Sequence, residues 1–324
     1  MDFKNHSGIF RFYLALLIVS LLIQGCTGEG TWKKNRSIMH DGYSRHFDIY
    51  TPLDMTGNRP LVIVLHGHTG TKDDVTSCFY SNPLCRWQFV ADVNKFYIAA
   101  PNGLVGSNYK GWNDCRPFDE VGNPGTDDVG FLEKIISWVD NNKALDIDRV
   151  FITGHSNGGH MSIRMALESS SNIAAIGAVS GSLTVDEDTQ CGTPSEPVGV
   201  LIMNGTEDKL LPYNGGAMIA GRGKVKSTAD TIDFFIKHNN ANPSAITYIY
   251  PDIDTSDQST ITRYTCADGD NGTQVILYKV NEGGHAQPSL NVRHRWPIMI
   301  FIGPQNGDIE SAEEIWNFFK TQSN

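Results

Sequence analysis

The chain is poor in positive charge, and this limits the partners it can have. Its 324 residues include 26 Lys and Arg against 36 Asp and Glu, so the formal net charge is −10. No cluster of Lys and Arg offsets this balance. Because an acidic surface repels the phosphates of nucleic acids, we predict that the protein has no nucleic-acid partner.

The sequence also lacks the spacings that are typical of a metal site. No C-x-x-C or H-x-x-x-H pair occurs in the chain. His66 and His68 are close together, but alternate residues of an extended loop point to opposite sides, so they are poorly placed to bind one ion. We therefore predict neither a metal nor another cofactor.

The apolar run near the amino terminus, at residues 12–23, is shorter than the roughly 20 residues that a membrane-spanning helix needs. Lys4 and Arg11 precede this run, a pattern typical of an export signal. The run leads into Ile-Gln-Gly-Cys, which resembles a bacterial lipobox. We predict that residues 1–25 are a lipoprotein-type signal peptide and that Cys26 carries the lipid.

These features predict a secreted protein of the bacterial cell envelope, which contacts the membrane only through its anchor at Cys26. Gln24 departs from the small residue that is usual at its position in a lipobox. The alternative is an ordinary signal peptide in which Cys26 has no role. Both interpretations place the mature protein outside the cytoplasm.

The cysteines of the mature chain are compatible with disulfides, because an exported protein meets an oxidising compartment. Five Cys follow Cys26, which allows two bridges and leaves one thiol over. Cys78 and Cys85 are close enough to close a small loop, and the other pairings stay open. The five are Cys78, Cys85, Cys115, Cys191 and Cys266.

One folded domain is predicted for residues 45–324, because no repeat, linker or low-complexity block divides them. Residues 26–44 are polar and contain Gly, so we predict a tether there. Strand and helix patterns alternate along the domain, which predicts an α/β fold with a mostly parallel sheet covered by helices on both faces. The predicted strands are residues 61–65, 96–100, 150–153, 174–179, 198–203 and 275–280, and the predicted helices are 131–139, 161–167 and a C-terminal helix.

Three further local predictions concern the start of the C-terminal helix and two loops. Ser311 and Glu314 have the spacing of a capping box at the start of the C-terminal helix. Residues 252–272 are polar and are predicted as a loop. Residues 286–307 contain three Pro and are predicted as a long loop near the active face, with a role as a lid left open.

A nucleophile is indicated by the G-x-S-x-G pattern at residues 154–158, with Ser156 at its centre. The pattern follows a predicted strand and precedes a predicted helix, which is the setting in which such a Ser sits on a sharp turn with its hydroxyl exposed. A side chain at either flanking Gly would clash with the neighbouring backbone. The alternative is a Gly-rich turn whose Ser merely caps the helix.

A serine hydroxyl needs a base to remove its proton, and the base needs an acid to orient it. His285 follows the predicted strand 275–280, and Asp208 follows the predicted strand 198–203, so both would lie at carboxyl ends of strands. Glu207 is the alternative acid. The order Ser156, Asp208, His285 along the chain is that of α/β-hydrolases. Weaker candidates for the base are His160, His238 and His294.

The oxyanion of such a reaction needs two backbone donors. We assign one to the N–H of Asn157, directly after Ser156. We assign the other to the N–H of His68, in the loop after the predicted strand 61–65. Trp112 is a candidate for the wall of the acyl or aryl pocket, with plain core packing as the alternative.

With these residues together, the sequence resembles the polyhydroxybutyrate depolymerase and feruloyl or acetylxylan esterase (LpqC-like) family of α/β-hydrolases. The resemblance covers about residues 45–322, and it implies that Ser156, Asp208 and His285 occupy the family's triad positions. Two departures stand out: Gln287 replaces a common Trp, and Cys266 lacks the partner that often lies near residue 240. The matching segments are residues 60–67, 111–114, 127–131, 154–159, 201–208, 283–285 and 308–319.

The expected function is therefore that of a serine esterase acting on small-molecule or polysaccharide-linked esters. Feruloyl or acetyl esters of plant cell-wall polysaccharide are favoured, because a polymer cannot enter the cell. One alternative is a polyhydroxyalkanoate depolymerase, and another of a different class is a non-catalytic binding protein on the same fold. We expect activity to fall in acid, near the ordinary His pKa of ~6.5, because the base must be neutral.

Overall fold

The computed structural model describes residues 29–80, 82–105, 110–117, 125–294 and 298–324. The predicted signal peptide and the predicted lipid-bearing Cys26 lie outside these residues. Within them, no helix is long and apolar enough to span a bilayer.

A ten-stranded sheet forms the centre of the described chain, in the order β1-β2-β4-β3-β7-β8-β9-β14-β13-β12. The six strands from β4 to β14 in this order pair in parallel, and the strands at both edges are antiparallel. The strands are β1 (Thr31–His40), β2 (Tyr43–Thr51), β3 (Arg59–Leu65), β4 (Tyr97–Pro101), β5 (Leu104–Val105), β6 (Lys110–Gly111), β7 (Leu145–His155), β8 (Ala175–Val179), β9 (Gly199–Gly205), β10 (Gly216–Ala217), β11 (Lys224–Val225), β12 (Ile246–Ile249), β13 (Thr260–Cys266) and β14 (Val275–Asn281).

Helices cover both faces of this sheet, as the alternating pattern predicted. They are α1 (Asp73–Thr76), α2 (Trp87–Asn94), α3 (Asp128–Asn142), α4 (Asn157–Glu168), α5 (Thr228–His238), α6 (Ile298–Ile302) and α7 (Ser311–Phe319). Short 3-10 turns lie at Cys78–Tyr80, Pro83–Arg86, Ser170–Asn172, Ile219–Gly221 and Asp270–Gly272.

Two hydrophobic clusters, one on each face, hold the sheet between the helices. One contains the buried faces of α3, α4 and α5, and the other contains those of α2 and α7. The central strands β8 and β9 are buried along their whole length. Parallel strands that are covered on both faces lose the alternation of apolar and polar residues, which is why they appear in the sequence as continuous apolar runs.

The predicted tether is wrong where the structure describes it, because residues 31–40 form the edge strand β1. It pairs antiparallel with β2, with Trp32 opposite Tyr50, and Asn35 donates its N–H to Asp48 at 2.7 Å. Most residues of β1 are exposed. An edge strand with little buried surface needs no apolar alternation, so its sequence looks like that of a polar linker.

Two other local predictions are also corrected. The predicted loop 252–272 contains strand β13, whose Thr and Ile residues pair with β14 on one side and β12 on the other. The capping box at Ser311 is wrong, because the N-cap of α7 is Glu310 and the helix has no side-chain cap. Residues 286–294 form the predicted irregular loop, whereas the short helix α6 lies further along that segment.

Two disulfides join the described cysteines. Cys78 pairs with Cys85, as their proximity suggested, and Cys115 pairs with Cys191 across 76 positions of sequence. Cys266 is a buried free thiol. The long bridge ties the segment after β6 to the segment after β8.

Candidate active site

Ser156 lies on a strained turn between β7 and α4. Its backbone has φ 59° and ψ −120°, a conformation that L-residues rarely adopt. A Cβ added to Gly154 would lie 2.5 Å from the backbone of Gly158, and one added to Gly158 would lie 2.4 Å from the carbonyl oxygen of Leu65. Both positions therefore require Gly, as predicted from the pattern.

The structure brings the three predicted side chains together at the carboxyl ends of β7, β9 and β14. The Nε2 atom of His285 lies 2.8 Å from Oγ of Ser156, and its Nδ1 lies 2.7 Å from Oδ2 of Asp208. The carboxylate of Asp208 can only accept in its ionised form, so Nδ1 carries the proton and Nε2 is free to accept the hydroxyl proton. The arrangement can deprotonate Ser156.

Asp208 is held by its own loop, which fixes its other oxygen. Oδ1 accepts hydrogen bonds from the N–H groups of Leu210 at 2.8 Å and Leu211 at 2.9 Å. The alternative acid, Glu207, is exposed, and it meets the His285 loop only through its backbone N–H, which donates to Gly283. Asp208 and not Glu207 therefore contacts the imidazole.

The weaker candidates for the base lie elsewhere. His160 lies on α4, and its Nδ1 donates to the carbonyl of Ser182 at 2.9 Å. His238 ends α5 and contacts the carbonyl of Glu196 at 3.1 Å. His294 is half-buried in the loop after His285, where its N–H donates to Gln305.

Asn157 begins helix α4, where the first N–H groups have no partner within the helix. Its side chain makes three hydrogen bonds: it accepts from the N–H of Trp112 at 2.7 Å, and it donates to the Trp112 carbonyl at 3.0 Å and to Asp114 at 2.6 Å. These bonds fix the orientation of the peptide whose N–H points towards the reacting carbonyl in the predicted mechanism.

The loop after β3 approaches the same point from the other side. A Cβ added to Gly67 would lie 3.5 Å from Cβ of Ser156, so this loop abuts the nucleophile. His68, the predicted second donor, follows directly and is half-buried. His66 is fully buried and accepts at Nε2 from the N–H of Gly103 at 3.0 Å. The neutral ring of His66 thus holds the base of the loop.

Trp112 does not line an open pocket. Its side chain is only 1% exposed, and its Nε1 donates to the carbonyl of His66 at 2.9 Å. Of the two interpretations of Trp112, core packing is the one that the structure contains, and the role as a wall of the substrate pocket is wrong. Trp112 instead links the loop after β3 to the side chain of Asn157.

Sequence reasoning missed Asp114 and Arg116 as part of this site. Arg116 donates to Asp114 through Nε at 2.9 Å and Nη2 at 2.5 Å, and both side chains are buried. Burial raises the pKa of Asp114, but the charge and hydrogen bonds of Arg116, with His160 and Asn157, outweigh it and hold that pKa below its ordinary value. The sequence did offer one indication of Asp114, because this residue ends the segment 111–114 that matches the family.

His155, which precedes the nucleophile, was also missed. Its Nε2 lies 2.7 Å from the carbonyl oxygen of His285. Burial, and then the neighbouring His285, lower the pKa of His155 to about 3. Burial, and then the charge of Arg116, lower the pKa of His160 to about 3 as well. Both rings are therefore neutral at ordinary pH.

The described residues contain no group of three or more His, Cys, Asp or Glu side chains that could hold a metal ion.

Comparisons with known proteins identify similar chains. A sequence model of the phospholipase/carboxylesterase family matches residues 54–238. A probable feruloyl esterase C from Aspergillus niger is 27% identical over 72% of this chain and 78% of its own length. A bifunctional acetylxylan esterase/xylanase from Neocallimastix patriciarum is 24% identical over 80% of this chain, which spans only 33% of that protein.

A solved structure is similar over most of the chain. The acetyl xylan esterase from Aspergillus awamori covers 85% of this chain with 99% of its own, at 15% identity and a TM-score of 0.52. At that identity the similarity concerns the fold. Together with the family match, it confirms the predicted α/β-hydrolase fold.

Proposed function

Because the chain belongs to the phospholipase/carboxylesterase family and is a carboxylic ester hydrolase, we propose that Ser156, His285 and Asp208 are its catalytic triad. The observation that carries this assignment is the continuous hydrogen-bond path from Oγ of Ser156 through the His285 ring to Asp208, with distances of 2.8 and 2.7 Å. Because Oγ of Ser156 and Nε2 of His285 are already within hydrogen-bond distance, the hydroxyl proton can pass between them without movement of the side chains.

The reaction proceeds in two acyl-transfer steps. Oγ of Ser156 attacks the ester carbonyl carbon while Nε2 of His285 takes the hydroxyl proton. The negative charge that forms on the carbonyl oxygen is stabilised by the N–H groups of Asn157 and His68. Asp208 stabilises the imidazolium. The C–O bond of the ester then breaks, and the leaving alcohol takes the proton from Nε2.

The acyl group on Ser156 is removed by water. His285 accepts a proton from the water, whose oxygen attacks the acyl carbon. The bond between the acyl carbon and Oγ of Ser156 then breaks, and Nε2 of His285 gives its proton to Oγ. The products are an alcohol and a carboxylic acid.

We propose that the substrates are feruloyl or acetyl esters linked to plant cell-wall polysaccharide. The names of the similar proteins from Aspergillus niger and Neocallimastix patriciarum support this substrate class. We further propose export by the signal at residues 1–25 and a lipid at Cys26, which would hold the enzyme at the cell envelope, where such a polymer is accessible. Palmitate labelling of wild type and Cys26→Ser in a bacterial host tests the anchor, and unlabelled wild type contradicts it.

A substrate panel tests the activity. The panel contains p-nitrophenyl acetate, methyl ferulate, acetylated xylan and oligomers of hydroxybutyrate, each assayed with wild type and with Ser156→Ala. We expect turnover of methyl ferulate or acetylated xylan by the wild type alone. Equal turnover by both proteins contradicts the triad. Turnover of hydroxybutyrate oligomers in preference to the other esters contradicts the substrate assignment and leaves the triad intact.

A further inference from the structure

The backbone of His285 is held by side chains that take no direct part in the proton path. Its carbonyl oxygen accepts two hydrogen bonds, from Nε2 of His155 at 2.7 Å and from Oγ of Ser180 at 3.0 Å. Its N–H donates to the carbonyl of Ile302 at 2.5 Å. The peptide groups on both sides of the His285 side chain are therefore fixed from three directions.

These bonds add to the close packing of the loop that carries His285. His285 follows Gly283 and Gly284, where an added Cβ would lie 2.3 Å from Cγ1 of Val280 and 2.2 Å from the carbonyl oxygen of Ile302, respectively. A rotation of the peptide after His285 would turn the imidazole away from Ser156, Asp208 or both. A misplacement of about 1 Å in a catalytic group can cost about a hundredfold in rate.

Ser180 has a strained backbone conformation that Gly would adopt more easily. It follows β8 with φ 53°, in the left-handed region, and its N–H donates to the carbonyl of Met203 at 2.9 Å. Gly would adopt this conformation with no steric penalty. The strained backbone is accompanied by a hydroxyl that contacts His285, and strain of this kind is concentrated at functional sites.

His155 is suited to this contact by its protonation state. A carbonyl oxygen can only accept, so Nε2 carries the proton of the neutral ring. Burial keeps the pKa of His155 near 3, and its ring centroid lies 5.1 Å from that of His285. A charged ring at that distance would oppose the positive charge that His285 gains in the reaction, whereas the neutral ring does not.

We propose that His155 and Ser180 are positioning residues that hold the His285 peptide so that its ring meets Ser156 and Asp208 at the same time. The inference rests on the proposed triad. It assigns a function to the residue before the nucleophile and to the residue after β8, both of which act through the His285 carbonyl and do not touch the substrate.

Three variants separate this role from a contribution to stability. His155→Phe keeps an aromatic ring and removes the donor, whereas His155→Gln provides an amide N–H close to the position of Nε2. Ser180→Ala removes the hydroxyl. Ser162→Ala is the matched control, because Ser162 is also a buried hydroxyl that donates to a carbonyl, that of Gly158, without contacting the triad.

We expect kcat for p-nitrophenyl acetate to fall between about tenfold and a hundredfold in His155→Phe and Ser180→Ala, with KM unchanged. His155→Gln should recover most of the loss, and Ser162→Ala should keep the wild-type kcat. The low-field proton resonance of the His285–Asp208 hydrogen bond gives a second readout that does not depend on turnover. It should be broadened or lost in His155→Phe and retained in His155→Gln.

Wild-type kcat in both His155→Phe and Ser180→Ala, together with a lower free energy of unfolding, would show a structural role only and overturn the proposal. If His155→Phe fails to fold, Ser180→Ala and its low-field resonance decide the matter. Failure of the triad assignment is distinguished by a different variant. In that case Ser156→Ala would retain activity, whatever the effect of the His155 and Ser180 variants.

Discussion

The Asp114 carboxylate lies 2.6 Å from the Asn157 amide nitrogen, and this contact couples a buried ion pair to the residue that follows the nucleophile. Arg116 neutralises Asp114, and Asp114 in turn holds the Asn157 side chain. The peptide N–H of Asn157 is the proposed first oxyanion donor. The rate of the chemical step should therefore depend on a carboxylate that contacts neither the substrate nor the triad.

We predict that Asp114→Asn lowers kcat by about tenfold or more with little change in KM, since loss of a full oxyanion donor costs about 10²- to 10³-fold. The variant should also lose about 3–5 kcal/mol of stability, because Arg116 would be left as a buried charge without its partner. Steady-state kinetics and chemical denaturation measure the two effects.

Asp48→Asn is the control for this prediction. Asp48 is also buried and paired with a cation, Lys72, at 2.9 Å, but it lies on β2 and not beside Asn157. A comparable loss of stability with normal kcat is expected. If both variants lose kcat to the same extent, the effect of Asp114 is general destabilisation.

Asp208→Asn should lower kcat by about 10⁴-fold, because an amide at that position no longer selects the tautomer of His285 with the proton on Nδ1. Glu207→Gln is the natural comparison, as its side chain is exposed and the neighbouring contact uses only the backbone N–H. Its kcat should match the wild type. The measurement is hydrolysis of p-nitrophenyl acetate at pH 7.5, and reversed effects of the two variants would assign the acid to Glu207.

The buried neutral rings of His155 and His160 should make the protein less stable in mild acid. In the folded state both have a pKa lowered to about 3, below their ordinary value of 6.5. At these two groups the unfolded chain therefore binds more protons than the folded one below pH 6.5. Their contribution to stability is fully present above about pH 7.5 and is lost as the pH drops from 6.5 towards 3.

His160→Gln removes one of these groups and should make the decline shallower. Urea denaturation of wild type and variant between pH 8.5 and 4.5 tests this. The two curves of unfolding free energy against pH should run parallel above pH 7.5 and converge below 6.5. Curves that stay parallel down to pH 4.5 would mean that the His160 ring is protonated in the folded protein.

The two disulfides should differ in their contribution to stability. Opening the Cys115–Cys191 bridge, which spans 76 positions, should cost about 4.5 kcal/mol by loss of the constraint on the unfolded chain. Opening the Cys78–Cys85 bridge, which spans 7 positions, should cost about 2.5 kcal/mol by the same relation.

Double Cys→Ser variants of each pair, compared by denaturation under oxidising conditions, measure this difference. The variant at Cys115 and Cys191 should also lose activity in part, because Cys115 lies between Asp114 and Arg116. Equal losses of stability in the two variants would show that the constraint on the unfolded chain is not the main contribution.

The sequence by itself determined those features that depend on neighbouring residues along the chain, namely the turn at the nucleophile and the buried strands. Gly154 and Gly158 mark the turn because any Cβ there would meet backbone at about 2.5 Å, and this steric demand is visible as two Gly around a Ser. The apolar runs that become β8 and β9 are likewise visible, because burial on both faces leaves no room for polar residues.

Only the tertiary structure decided which groups support those residues, because contacts between distant segments leave no local pattern. The edge strand β1 has too little buried surface to differ from a linker in sequence. The sequence leaves Trp112 open between a pocket wall and the core, because an aromatic residue occurs in both. Its burial follows from how the segment after β6 packs on the loop after β3. The bonds from His155 and Ser180 to the His285 carbonyl join residues 130 and 105 positions apart, and only the packing of β7, β8 and β14 in one sheet brings them together.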